Sequence, residues 1–251
     1  GRLLARELDT DGIRRAIDHG HLDAVLVTAS SYATSRAVSF YQAQSHFNDW
    51  EAYRQTAKRV FLSPVHLMAS TAIPIIFPSQ RIENQHFGDG SLRNTRPLDA
   101  PIRFGANRLL VIATRDSDED SEPDEPTSYP TLGQIGGHLI DLIFMDYVAH
   151  DINRINQMPK SDRNSPRGAS SPSSPAALLI QPSRDLRLIA KKHLHQFPMS
   201  VRTLLKGAGA WQSSQLASYL LFESTFCKEL ISLGYKDAWS QQQKISEFLL
   251  D

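Results

Sequence analysis

Residues 86–98 read HFGDGSLRNTRPL and set one acid, Asp89, between two glycines directly after an apolar residue. Two chemistries fit that arrangement. Asp-Gly is a common tight-turn pair, and Gly90 can take a positive φ at no steric cost. Alternatively, Asp89 is a catalytic carboxylate presented at a strand end. The Gly-x-Ser-x-Gly elbow that presents an activated serine is absent from the sequence. Among thirteen glycines only Gly133 and Gly137 stand four apart, and Ile135 lies midway between them. The stretch KGAGAW, residues 206–211, lies in helical sequence and reads as a helix break rather than an oxyanion loop.

Other reactive residue types point to less. His193 and His195 are two apart, a spacing that does not place them on one helical face, so they read as ordinary exposed or interfacial histidines. Lys191 and Lys192 are too small a cluster for phosphate recognition. Ser70 follows an alanine on a helical segment and reads as a packing residue at a close helix–sheet contact. The single cysteine, Cys227, excludes an intrachain disulfide and a cysteine-based zinc cluster, and it reads as a small buried hydrophobe. Seven acids fall within residues 116–125, a solvated, self-repelling run rather than a metal site. Lys plus Arg equal Asp plus Glu, 27 of each, which argues against a dedicated nucleic-acid binder.

The elements that must position Asp89 alternate. DTDGIRRAIDHG predicts a helix with Asp9 or Thr10 as N-cap and Gly20 as stop. LDAVLVTAS and RAVSFYQ predict neighbouring strands, DWEAYRQTAKRVF a helix, and PVHLMASTAIP a helix ending before Pro74. SQRIEN and QHFGD predict two short extended pieces around the turn Glu83–Gln85. PLDAPIRFGA predicts a helix ending near Gly105, and NRLLVIATR a further buried strand. This alternation predicts an α/β layer with a largely parallel sheet. Beyond it, residues 131–157 show a helical apolar stripe, 158–175 a Ser/Pro-rich loop, and AALLIQP a third strand. Residues from Arg184 onward read as several helices. The expected organisation is residues 1–115 in a catalytic-type layer, 116–130 as acidic linker, and 131–251 as a mostly helical extension. No apolar run approaches the ~20 residues that span a bilayer.

The ordered string MASTAIPIIFP…RIENQHFGDGSLRNTRPLDAPIRFGANRLLVI resembles the patatin-like phospholipase family, as found in bacteria. The resemblance rests on Ala69, Ser70, Ala72, Pro74, Phe77, Pro78, Asp89, Gly90, Asn94, Pro97, Leu98, Gly105, Ala106 and the run 109–112. It extends more loosely to LDAVLVTASSYATSRAVSFY upstream and to LGQIGGHLIDLIFMD and ELISLGYKDA downstream. Ser91 departs from it, standing where the family usually has Gly or Ala.

The resemblance implies a patatin-like layered sheet flanked by helices. It also implies a lipid acyl hydrolase working through a Ser-Asp dyad, with no cofactor. Asp89 would be the base, supported by Gly90 and Ser91. Substrates would be carboxylic esters with long acyl chains, so a cytoplasmic or peripherally membrane-associated location is expected, with no nucleic-acid partner. The chain begins with Gly1, and the expectation is that an upstream segment of the same protein carries the nucleophilic serine. The rival expectation is a non-catalytic interaction module that kept the fold and lost the serine. A nucleotide-binding α/β domain finds no support, because no glycine-rich phosphate loop follows a strand.

Overall fold

The structure is a computed structural model that describes residues 2–74, 76–114, 135, 147–157, 175–207 and 218–250. After a short helix α1 (Arg2–Glu7), Asp9 accepts the Gly12 N–H at 2.7 Å and caps α2 (Thr10–Asp18), which Gly20 follows at φ 73°. Strands β1 (Ala24–Ser31) and β2 (Ala37–Ala43) pair antiparallel from Ala24↔Ala43 to Ser30↔Ala37.

The segment expected to be a helix at DWEAYRQTAKRVF is instead a hairpin, β3 (Trp50–Ala52) with β4 (Gln55–Arg59). Tyr53 and Phe61 are 86% and 79% exposed, whereas Ala57 is buried. Helix α3 (Pro64–Ser70) follows, with Ser63 and His66 forming a capping box, and ends before Pro74 as expected. Strands β5 (Gln80–Ile82) and β6 (Gln85–Asp89) form a second hairpin. Its turn is Glu83–Asn84, with Glu83 at φ 53°, because Gln85 already belongs to β6. Helix α4 (Asp99–Arg103) precedes Gly105 at φ 87°.

These strands form one mixed six-stranded sheet in the order β3-β4-β2-β1-β6-β5. The largely parallel sheet expected from the alternation does not occur here. Only β2 and β4 run parallel; the other four pairs are antiparallel. The reason is local. Residues 32–36 are too short a link for the crossover that parallel strands need. Every residue of β2 is buried, since both faces of the sheet are covered. Phe40 meets Phe87 and His66 on one face, with Leu62 and Ala69 of the α3 region in the same cluster. Tyr41 meets Phe104 on the other, with Ala43 and Ala57.

The chain divides into two compact units, Gly1–Asn107 and Arg108–Asp251. In the second, β7 (Arg108–Ile112) and β8 (Ala176–Ile180) pair in parallel, and α5 (Tyr147–Gln157) packs on β8. Helices α6 (Leu186–His193), α7 (Met199–Gly207), α8 (Ser224–Ser240) and α9 (Gln242–Leu250) follow. Ile189, Ala190, Phe197, Leu221, Phe226 and Leu233 make its core. Cys227, expected to be buried, is half-exposed, because α8 turns Phe226 and Leu233 inward instead. The acidic run 116–125, the Ser/Pro-rich loop and most of the apolar stripe of residues 132–148 lie outside the described residues.

Candidate functional site

Asp89 is the last residue of β6, opposite Ala29 on β1. Its N–H donates to the carbonyl of Ala72, just past α3, at 3.0 Å. The strand end is thereby pinned from two sides. Gly90–Leu92 then forms a single 3₁₀ turn. The Ser91 N–H donates to Asp89 Oδ1 at 2.9 Å, a local cap of the kind Asp favours.

Gly90 is not there for a positive φ, which it does not adopt. Its role is close approach. A Cβ at this position would sit 2.5 Å from the carbonyl oxygen of Thr28 on β1. The Gly90 carbonyl accepts the Ser30 hydroxyl at 3.1 Å and the Asn94 N–H at 3.0 Å, while Ser70 Oγ donates to the Thr28 carbonyl at 2.6 Å. The expected packing role of Ser70 thus takes the form of a hydrogen bond that ties α3 to β1. Ser30 and Thr28 give no chemical signal in the sequence. They belong to the site only because β6 lies beside β1.

Asp89 is 8% exposed. Burial pushes its carboxyl above the ordinary carboxylate range, and hydrogen bonds from the Ser91 N–H and hydroxyl pull partly the other way. Among the described residues no cation pairs with it. A buried carboxylate without a counter-ion favours its protonated form, so its affinity for a proton is raised.

Of the described hydroxyls near Asp89, Ser30 and Ser70 donate to backbone carbonyls, whereas the Ser91 hydroxyl bonds to Asp89 itself within the 3₁₀ turn. Ser79 Oγ lies 3.0 Å from His86 Nδ1, a Ser–His contact. Strand alternation turns His86 to the opposite face of β6 from Asp89, so the two do not form one site. A cavity of about 470 Å³ lies over Val38, Phe40, Ile82 and Phe87, rimmed by the Arg36–Glu51 and Lys58–Glu83 ion pairs; Asp89 does not line it.

In the second unit, His193 Nε2 lies 2.8 Å from Glu229 Oε2 and its Nδ1 lies 3.0 Å from Gln196 Nε2. The hydrogen bond from His193 pulls the Glu229 carboxyl below its usual range. His195 contacts the Lys192 carbonyl instead. Among the described residues no group of three or more His, Cys, Asp or Glu is placed to hold a metal ion, and no helix is long and apolar enough to cross a membrane. No protein-family model matches the chain, and no curated protein matches it.

Proposed function

We propose that this chain carries the general base, Asp89, of a lipid acyl hydrolase of the patatin-like type. The nucleophilic serine would come from polypeptide outside these 251 residues, since the sequence holds no Gly-x-Ser-x-Gly. The observation that supports the reading is the state of Asp89: buried at a strand end, without a counter-ion among the described residues, its carboxyl pushed toward greater basicity. Burial moves the pKa toward the operating pH, the direction a general base requires. Gly90 and Ser91 support it, one by letting the turn approach β1, the other by fixing Oδ1.

The chemistry follows. Asp89 takes the serine proton as the oxygen attacks the acyl carbonyl. Collapse of the tetrahedral adduct expels the alcohol, which takes that proton back. Asp89 then removes a proton from water, the hydroxide attacks the acyl-serine, and the acid leaves as the serine oxygen recovers its proton. The substrates would be long-chain carboxylic esters, and the chemistry requires no cofactor.

A fluorophosphonate probe tests this. The 251-residue chain forms no active-site adduct, while polypeptide carrying both the Gly-x-Ser-x-Gly segment and Asp89 is labelled and hydrolyses a carboxylic ester. Asp89→Asn lowers that turnover by about 10²–10⁴-fold, the usual contribution of a positioned base. Near-normal turnover by Asp89→Asn refutes the assignment.

A second reading has its own observation. The Ser91 N–H bond to Oδ1 gives Asp89 a purely structural role as a cap. A non-catalytic interaction module would need nothing more. Absence of labelling in polypeptide that carries both segments favours it.

A further inference from the structure

The 470 Å³ cavity of the first unit is separate from Asp89, which does not line it. Its floor is apolar: Val38, Phe40, Ile82 and Phe87 are each less than a tenth exposed, and the Phe40 and Phe87 rings meet edge to face at 5.2 Å. Two bases rise beside that floor. Arg36 stands directly before β2 and shares the pleat face of Val38 and Phe40, while Lys58 of β4 lies opposite Phe40. Each base meets an acid, Arg36 with Glu51 and Lys58 with Glu83, and in each pair the base is the deeper partner. The side chains are 40% against 77% exposed in the first pair and 45% against 66% in the second. The two pairs bond differently. Both Glu83 oxygens lie 2.6 Å from Lys58 Nζ. Arg36 gives Glu51 a single N–H at 3.2 Å, and the rest of its guanidinium fork has no partner among the described residues.

We infer that this cavity binds a small aromatic acid in its ionised form, with the ring on the Phe40–Phe87 floor and the carboxylate or sulfonate on Arg36. The dimensions suit such a ligand: small-molecule cavities run to about 300–1,000 Å³, mostly apolar with a few placed polar groups. A guanidinium with open donors is the planar fork that an oxyanion accepts from twice over. The Arg36–Glu51 pair is exposed and contributes little, so an incoming anion replaces Glu51 at small cost. The floor selects the ring. Aromatic groups pack on one another edge to face or offset, and the two bases beside the floor also favour a π-face. A cationic ring seated there would lie against two bases, with both acids outside them. The inference rests on the cavity alone and stands whether or not Asp89 is a base.

The test is fluorescence titration of the full chain with two probes: 8-anilinonaphthalene-1-sulfonate, and N-phenyl-1-naphthylamine, which has the same rings without the acid. The sulfonate binds more tightly than the neutral amine. Arg36→Gln weakens the sulfonate by about ten-fold or more, the loss of a charge-assisted bond, and leaves the amine unchanged. Glu83→Gln releases Lys58 and tightens the sulfonate by about two- to five-fold, the worth of one exposed ion pair. Thr56→Phe, beside Val38 on the floor, fills the cavity and weakens both probes. Arg36 and Glu83 hold only surface ion pairs, so their variants fold, as circular dichroism verifies. In competition, 1-naphthoate displaces the sulfonate at lower concentration than dodecanoate, a straight-chain acid, or 1-naphthylmethylamine, a cation. The inference is overturned if the native chain does not bind the sulfonate, or binds the neutral amine as tightly. It is also overturned if Arg36→Gln binds the sulfonate as the native chain does, if Glu83→Gln weakens it, or if Thr56→Phe spares both probes. Stronger displacement by dodecanoate or by the cation overturns the ligand class. Ester hydrolysis is not part of this readout, so failure here leaves the base assignment standing, and the reverse.

Discussion

Replacing Gly90 by alanine would bring a methyl carbon to 2.5 Å from the carbonyl oxygen of Thr28 and 3.2 Å from its carbon. An ordinary C···O contact is ~3.3 Å or more, so the shortfall is about 0.8 Å. Thr28 cannot easily retreat. It lies on β1, paired with Ser39 of β2, and its carbonyl already accepts Ser70 Oγ at 2.6 Å. Either that bond breaks, costing about 1 kcal/mol, or the 3₁₀ turn lifts and takes Asp89 with it. With overpacking at about 1–3 kcal/mol, the expected loss is about 3 kcal/mol.

Gly88, the other glycine flanking Asp89, is the control. Its Cβ would also meet an atom at 2.5 Å, but that atom is the hydroxyl of Tyr32, the far end of a side chain 52% exposed. Turning Tyr32 aside costs about 0.5–1.5 kcal/mol, and alanine recovers about 0.5–1 kcal/mol over glycine in a strand. The net is within ~1 kcal/mol. Urea denaturation at neutral pH, followed by circular dichroism, reads the difference between the two variants as about 2–3 kcal/mol. In thermal melts Gly90→Ala falls by roughly 10–20 °C for a unit of this size, and Gly88→Ala by a few degrees at most. Equal midpoints for the two variants would show that the 3₁₀ turn is not pressed against β1, and the geometry of the Asp89 site would be wrong.

Asp89→Asn carries a second, pH-dependent signature. The folded-state pKa of Asp89 is raised, so its contribution to stability is fully present below its ordinary value of 3.8 and is lost as pH rises through the folded value. Asparagine does not titrate, so the variant gains stability relative to the native chain across that window; a difference that stays flat with pH contradicts the burial argument. His66 is the opposite case: burial lowers its pKa, so its contribution is present above 6.5 and lost as pH falls through the folded value. Ser63 N donates to its Nδ1 at 3.1 Å, and protonation removes that acceptor, so acidification should loosen the start of α3, while His66→Phe should flatten the pH dependence of the melting midpoint. Phe40→Ala removes a ring 1% exposed that packs on Phe87 and His66, and should cost about 3–5 kcal/mol by urea titration.

The legible parts of the sequence were those with local causes. Asp9 caps α2 by its own side chain, Pro64 and Pro74 bracket α3, and the apolar runs at β1 and β2 are strands, β2 buried throughout and β1 half-buried up to Thr28 and buried from Ala29. Residues 50–59 were misread because their turn, Tyr53–Arg54, contains no glycine. Arg54 takes φ 59° without the residue type that normally announces it. The direction of β2 was recoverable from the five-residue link before it, a signal that outweighs the alternation of element types. Asp89 stood out by its neighbours, yet the reason for Gly90 did not. That reason is the Thr28 carbonyl, 62 residues upstream, brought close only by the pairing of β6 with β1.

The strand order β3-β4-β2 constrains how the first unit assembles. After β2 the chain passes to the outermost position and comes back to fill the slot it skipped. Strand β3 meets the sheet only through β4, so it is seated no earlier than β4, and the expected order is that the hairpin closes across the two-residue Tyr53–Arg54 link and docks as one piece. Arg59 then acts as the latch: its guanidinium donates to the carbonyls of Ala43, Gln44 and Phe47, and its N–H to Asp49, which fastens the skipped-over loop to the arriving strand. Substitutions that weaken the hairpin turn should slow refolding, whereas loss of the Arg59 latch should chiefly hasten unfolding.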